Sequence, residues 1–221
     1  YVKSQFQPEF ELADAKRLAT ELGANMQIIE VDILENAEVV KNPPDRCYIC
    51  KKAIFTRLWE AAKARHMNMI VEGSNMDDLG DYRPGKRAIQ ELGVRSPLQE
   101  AGLYKEEIRE LSKDMNLPTW NKPSFACLAS RFVYGELITE EKLHMVDQAE
   151  QFLMDLGFHQ FRVRIHGTMA RIEVPEEEIL KIADNETRTK ITEKFRTLGF
   201  SYVTLDLQGF RSGSMNETLG K

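Results

Sequence analysis

Residues 68–85, NMIVEGSNMDDLGDYRPG, decide the fold class of this chain. The first six form a short apolar run closed by glycine, which reads as a buried strand, and the Gly, Ser, Asn and Asp that follow are turn formers. Upstream, EFELADAKRLATEL at 9–22 carries apolar side chains at helical spacing, Gly23 is a stop signal, and MQIIEVDI reads as a strand. Residues 47–66 read as a second helix, VRSPL as a third strand, and KEEIRELSKDM as a third helix ending before Leu117-Pro118. Helices alternating with short apolar strands predict an α/β domain whose parallel sheet is covered on both faces. In such sheets ligands gather at the carboxyl ends of strands, where the Gly-Ser-Asn loop falls.

From about residue 139 the pattern changes. A helix at 139–156 precedes FRVRIHGTMARIEV, two alternating strands joined at His166-Gly167-Thr168 as a hairpin, then a helix at 184–198 and the strand SYVTLDL. This order predicts a smaller α+β domain. The boundary falls between 131 and 138, dividing the chain into residues 1–134, with all three cysteines, and 135–221.

At 221 residues, the chain is long enough for one large domain or a medium and a small one. Its 42% hydrophobic and 29% charged residues are those of an ordinary globular protein, and no run of about 18 apolar residues is present to span a membrane. The first residues lack the apolar segment of a signal peptide, and three cysteines suit the cytoplasm. A net charge of -5 argues against a surface that coats nucleic acid.

The three cysteines are Cys47 and Cys50, in Cys-Tyr-Ile-Cys, and the distant Cys127. Three thiolates suit a metal or iron–sulfur centre with one coordination position open. The same residues are compatible with a redox pair, with a zinc site completed by His66, His144, His159 or His166, or with inert buried thiols.

Six stretches carry a family resemblance: NPPDRCYICKK at 42–52, EGSNMDDLGDYRPG at 72–85, SPLQEAGLYKEEIR at 96–109, LPTWNKPSFACLASRFVYGE at 117–136, RVRIHGTMARIEVP at 162–175 and YVTLDLQGFRSGSMNETL at 202–219. In this order and spacing the chain resembles the LarE family of ATP-dependent sulfur transferases, in the PP-loop pyrophosphatase superfamily. The resemblance implies a Rossmann-like sheet of the adenine nucleotide α-hydrolase type with a small C-terminal substrate-binding or oligomerisation domain. It implies adenylylation of the carboxylates of pyridinium-3,5-biscarboxylic acid mononucleotide by ATP with Mg²⁺, followed by sulfuration, on the way to the nickel-pincer cofactor of lactate racemase. Some family members sacrifice a cysteine of their own. The three-cysteine pattern resembles the branch that holds a [4Fe-4S] cluster on Cys47, Cys50 and Cys127 and delivers sulfide from it. The family's Ser-Gly-Gly-x-Asp-Ser loop is not in the sequence, and it is expected upstream of Tyr1.

The resemblance also assigns roles. Lys51, Ser130 and Arg131 join Cys127 as catalytic candidates, Lys51 against a phosphate or the adenylate and Arg131 as a fork for phosphate or carboxylate. Gly73, Ser74, Asn75 and Asp78 would approach the nucleotide, with Asp81, Arg83 and Gly85 continuing that loop. Arg162 and Arg164, two apart on a strand, project from one face and match positions that bind the substrate phosphate. Glu150 and Glu173 match acidic positions where a divalent ion could sit. Trp120 and Tyr134 could stack on the pyridinium ring. Without the resemblance, each is equally a solvated charge, a turn residue, a structural ion pair or a loop anchor. The expected partners are a small nucleotide substrate, sulfide or another sulfur donor, and further copies of the chain. A cluster-dependent tRNA thiolation enzyme or a non-catalytic metal-binding module is the alternative; a pI near 5.6 speaks against the former.

Overall fold

The computed structural model describes residues 1–80, 83–123, 125–211 and 213–219. Along the chain lie β1 (Val2–Lys3), α1 (Glu9–Glu21), β2 (Ile29–Glu30), α2 (Ala37–Val40), α3 (Arg46–Lys63), α4 (Gly85–Glu91), α5 (Pro97–Glu100) and α6 (Lys105–Asp114). There follow α7 (Glu140–Asp155), β3 (Arg162–His166), β4 (Met169–Glu173), α8 (Ile179–Ala183), α9 (Asn185–Thr197) and β5 (Tyr202–Leu205). No helix of the described residues is long and apolar enough to cross a membrane.

The chain divides into two compact units, the first comprising residues 1–4, 10–39 and 45–124. Here α3 and α4 pack around Phe55, Ile89 and Val94, with Leu58, Ile70 and Leu92 at the margin. The Trp59 indole N–H donates to the Leu92 carbonyl at 2.8 Å, satisfying a group that packing would otherwise strand. The parallel pairing is present in two short pieces. β1 and β2 pair in register Val2↔Ile29 and Lys3↔Glu30, and Val71 bridges Arg95. The strands expected at 26–33, 68–73 and 94–98 are therefore shorter than their apolar patterns imply, and Ser96-Pro97 already leads into α5. A parallel ladder is sustained by cover on both faces and neighbours on both sides. Among the described residues the 68–73 segment has one neighbour, and Val71 remains 56% exposed.

The second unit comprises residues 5–9, 40–44 and 125–221. Its division falls before residue 125 and not after 134, so Cys127, Ser130 and Arg131 are grouped here. The reason is local bonding: Leu128 N–H donates to the Phe6 carbonyl at 2.8 Å, and Phe132 bridges Ile165. The sheet runs β3-β4-β5, antiparallel then parallel. Gly167 at φ +62° opens the two-residue turn between β3 and β4, a conformation that β-carbon sterics discourage in other residues.

Alternation divides this sheet into two faces. Val163, Ile165, Ala170, Ile172 and Val174 are buried on one face. The register Arg162↔Glu173, Arg164↔Arg171 and His166↔Met169 gathers charge on the other. α7 begins at Thr139, whose hydroxyl caps the Lys142 N–H, and contributes Leu143, Val146, Ala149 and Leu153 to the core. α9 adds Ile191 and Phe195, and Phe195 meets Phe200 with ring centroids 5.5 Å apart. Leu153 has no solvent exposure, so Leu153→Ala should cost about 2–5 kcal/mol through the cavity it leaves. Chemical denaturation monitored by circular dichroism checks this; a loss below about 1 kcal/mol would mean that the unit repacks freely.

Candidate functional site

Cys47, Cys50 and Lys51 stand at positions i, i+3 and i+4 of the first turns of α3, so one helical face carries two thiols and an ammonium. Neither thiol is in a disulfide, and both are half-buried. Arg46 is almost wholly buried, and its Nη2 lies 3.8 Å from Cys47 Sγ. The neighbouring turn is pinned to α4. Tyr48 and Lys52 donate to Glu91 at 2.7 and 3.0 Å, and the Arg87 guanidinium lies 3.5 Å over the Tyr48 ring.

The loop after residue 71 is held by its own polar side chains. Glu72 accepts from the Ser74 N–H at 3.1 Å, from the Ser74 hydroxyl at 2.9 Å and from the Ser96 hydroxyl. Asn75 and Asp78 form a reciprocal capping box over residues 76–79, and Asp78 also pairs with Arg83 at 2.7 Å. Asp77 accepts the Lys105 N–H at 2.7 Å. Ser74, Asn75 and Asp78 are thus engaged in holding the loop, while Gly73 borders open space, with no atom within 4 Å of where a Cβ would stand. What the loop presents there is its backbone. Asp81 lies outside the described residues. Trp120 is partly exposed; its carbonyl accepts from Arg109 at 3.0 Å, and the Lys113 ammonium lies 5.0 Å from its ring centroid.

In the second unit Cys127, likewise outside any disulfide and half-buried, leads a tight turn over Leu128–Arg131. Arg131 holds that turn. Its Nη1 donates to the carbonyls of Ala126 and Cys127 at 2.7 and 3.1 Å and to the Ser130 hydroxyl at 2.8 Å. Its Nε and Nη2 form a two-pronged pair with Glu150 at 2.8 and 2.7 Å, and Glu150 accepts the Val163 N–H as well. Burial opposes the arginine's charge, but the Glu150 carboxylate outweighs it and holds the guanidinium above its ordinary range.

Arg164 repeats the motif on the polar sheet face. Its Nε and Nη2 meet Glu173 at 3.1 and 2.9 Å, Nη1 donates to the Ser130 carbonyl at 2.7 Å, and Nη2 to the Ser214 hydroxyl at 2.9 Å. Arg171 also donates to Glu173, at 2.9 Å. Arg162 stacks over Phe210 at 5.1 Å, and burial together with the Arg131 cation pushes its pKa down to about 10. Arg131, Arg162, Arg164 and Arg171 thus gather about Glu150 and Glu173, with the Asp206 carboxylate 3.7 Å from Arg171, in a partly desolvated place. Such a centre is suited to a phosphate or carboxylate of a ligand. His166, on the same face, is driven toward its neutral form by burial and by Arg171, and its Nε2 is buried without a hydrogen-bond partner. Tyr134 donates to Asn216 at 3.1 Å.

Glu150 and Glu173 each turn both oxygens to arginines, so in this arrangement they are counter-ions to guanidinium groups. Among the described residues, no three His, Cys, Asp or Glu side chains are gathered closely enough to hold a metal ion. Glu72, Arg171 and Ser214 were not singled out from the sequence. Arg171 and Glu173 were within reach, because the register around Gly167 places them opposite Arg164 and Arg162. Nothing local announces Ser214, whose contacts lie 41 and 50 residues away.

No protein-family model matches the chain. Similarity to curated proteins is extensive. An uncharacterised protein of Synechocystis sp. is 43% identical over 211 residues, which is 96% of this chain and 79% of that protein. Pyridinium-3,5-bisthiocarboxylic acid mononucleotide synthase of Lactiplantibacillus plantarum is 42% identical over 96% of this chain and 76% of its own length. An uncharacterised protein of Methanocaldococcus jannaschii is 32% identical, again over 96% of this chain, and 80% of its length is matched.

Removing one partner of a buried pair leaves the other charge uncompensated. Glu150→Ala should therefore destabilise the protein by about 3–5 kcal/mol, whereas Arg131→Met combined with Glu150→Leu should recover most of that loss. Urea denaturation of the two variants tests this; equal losses in both would show that the apolar pair fails to replace the ionic one.

Proposed function

Since this chain belongs to the LarE family of pyridinium-3,5-bisthiocarboxylic acid mononucleotide synthases, an enzyme family, we propose that it transfers sulfur to the carboxylates of a pyridinium-3,5-biscarboxylic acid mononucleotide. In this reading a substrate carboxylate oxygen attacks the α-phosphate of ATP held with Mg²⁺, giving an acyl-adenylate and releasing pyrophosphate. A sulfide then adds to the activated carbonyl carbon, AMP leaves with the electron pair of the broken C–O bond, and a thiocarboxylate remains.

The observation that carries the reading is the cationic centre on the polar face of β3 and β4. A mononucleotide brings one phosphate dianion, and Arg162 and Arg164 stand two apart on one face of β3, so both can meet it once Arg164 exchanges contacts with Glu173 or Ser214 for the phosphate. Burial and the neighbouring Arg131 cation disfavour the charged form of Arg162, and a phosphate dianion bound beside it would favour that form. Arg131 keeps its place on Glu150 and orients the turn that carries Cys127. The backbone at Gly73 offers an approach for the nucleotide without side-chain obstruction, and Lys51 would neutralise a phosphate or the adenylate.

By residue type the donor set suits a [4Fe-4S] cluster, since Cys47, Cys50 and Cys127 are soft ligands and none is used in a disulfide, although no three such side chains are gathered into a metal site among the described residues. These three would hold the cluster. When bound, it would supply the sulfide for transfer from an iron that the protein leaves unligated.

Two measurements on the natural polypeptide test the proposal. Anaerobic reconstitution should give about four irons per chain, lost in Cys127→Ala, and the mass of the polypeptide should be unchanged after turnover. A loss equivalent to one hydrogen sulfide would instead make a cysteine the sulfur donor. Arg162→Ala and Arg164→Ala should each raise the dissociation constant of the mononucleotide about tenfold or more, with iron content intact. Unchanged affinity in both would leave the phosphate without its proposed partners.

A further inference from the structure

Gly85, the first residue of α4, packs tightly against the cysteine-bearing helix. A Cβ built on Gly85 would stand 2.8 Å from Lys51 Cδ, 3.3 Å from Lys51 Cε and 3.3 Å from the Cys47 carbonyl oxygen. Carbon atoms rest at about 3.5–4.0 Å, so the first of these contacts is a clash. Gly85 is buried and does not have a positive φ, so it is space, not backbone conformation, that calls for glycine here. The stem of Lys51 occupies the room that a side chain would fill. α4 is not free to back away, because Arg87 and Glu91 fasten it to Tyr48 and Lys52.

A lysine on an exposed helix face samples many rotamers. Lys51 does not have that freedom, since its stem lies between α3 and the start of α4. Its position in the helix puts it on the face of Cys47 and Cys50. Its ammonium makes no hydrogen bond or ion pair with any described residue, which leaves it available to a ligand.

We propose that Gly85 is a positioning residue that seats the aliphatic stem of Lys51 against α4 and so fixes the ammonium beside Cys47 and Cys50, where it can meet a phosphate of ATP or of the acyl-adenylate. The phosphate contact rests on the function proposed above; the seat does not.

The test is Gly85→Ala, alone and combined with Lys51→Ala. Alanine suits a helix, and the clash falls on a flexible side chain, so the single variant should fold. Competitive acetylation read by peptide mass spectrometry should show Lys51 reacting about twofold faster or more once its stem is expelled, while other lysines keep their rates. Turnover should fall about tenfold or more, since a misplacement of about 1 Å can cost on the order of 10²-fold. In the Lys51→Ala background, Gly85→Ala should change turnover by less than about twofold, because its effect passes through a residue already removed. Unchanged acetylation of Lys51 would overturn the seat, and independent losses in the double variant would overturn the positioning role. Faster acetylation with undiminished turnover would uphold the seat and overturn the phosphate role of Lys51. If Gly85→Ala alone fails to fold, the seat predicts that Lys51→Ala restores folding; failure of both would assign the space to the Cys47 backbone instead.

Discussion

Arg131 is a fully buried cation, and the second unit is arranged around the need to satisfy it. Taking a guanidinium out of water is costly, and the attraction of one carboxylate repays that only when geometry is good and the remaining N–H groups find acceptors. Here the Glu150 carboxylate faces two of its nitrogens, and the third reaches two carbonyls and the Ser130 hydroxyl. The carbonyls belong to the turn that carries Cys127, and Glu150 itself anchors Val163 at the start of the hairpin. One charge therefore ties a helix, a strand and the cysteine-bearing turn to a single arrangement. Such a pair adds little to net stability compared with well-packed apolar groups; its contribution is to make one geometry much better than its neighbours.

Arg164 extends the same logic. Glu173 and Ser214 hold it from the sheet side, and its remaining arm reaches the Ser130 carbonyl, next to Arg131 in the chain. The two arginine–glutamate pairs are nearly neutral together, whereas Arg162 and Arg171 bring further positive charge to the same face. Arg171 shares Glu173 with Arg164 and lies 3.7 Å from Asp206, so the cations of this face are held by a small set of shared carboxylates. In the first unit the corresponding constraint is steric. α3 and α4 are fastened through Tyr48 and Glu91, and the absent side chain of Gly85 sets where Lys51 can lie.

The sequence made the helices legible because each carries its own apolar stripe. α1, α3, α6, α7 and α9 fall within a few residues of their expected limits. The hairpin was legible for a comparable reason, since Gly167 marks the turn and period-two alternation marks each strand. The strands of the first unit were not: an apolar run such as NMIVEG specifies a tendency to be buried, but whether a ladder forms depends on neighbours that the run does not encode. The same divide runs through the site. Arg162 and Arg164 could be found by residue type and spacing, and the cysteines by their pattern. Glu150 and Glu173 could be named as acidic positions, but that Glu150 serves as the counter-ion of Arg131 could not be read, because the two meet across 19 positions and two elements. Glu72 lay inside a recognised motif, yet its role in holding Ser74 and Ser96 became visible only once the loop had a shape.

The central claim is that the arginine cluster on the polar face of β3 and β4 receives the phosphate of the nucleotide. A crystal structure of the protein with bound pyridinium mononucleotide tests this most directly. The account predicts phosphate oxygens about 2.7–2.9 Å from both Arg162 and Arg164, with Arg131 still paired to Glu150. A mononucleotide whose phosphate lies elsewhere, with Arg164 still closed on Glu173 and Ser214 and Arg162 clear of the ligand, would contradict it.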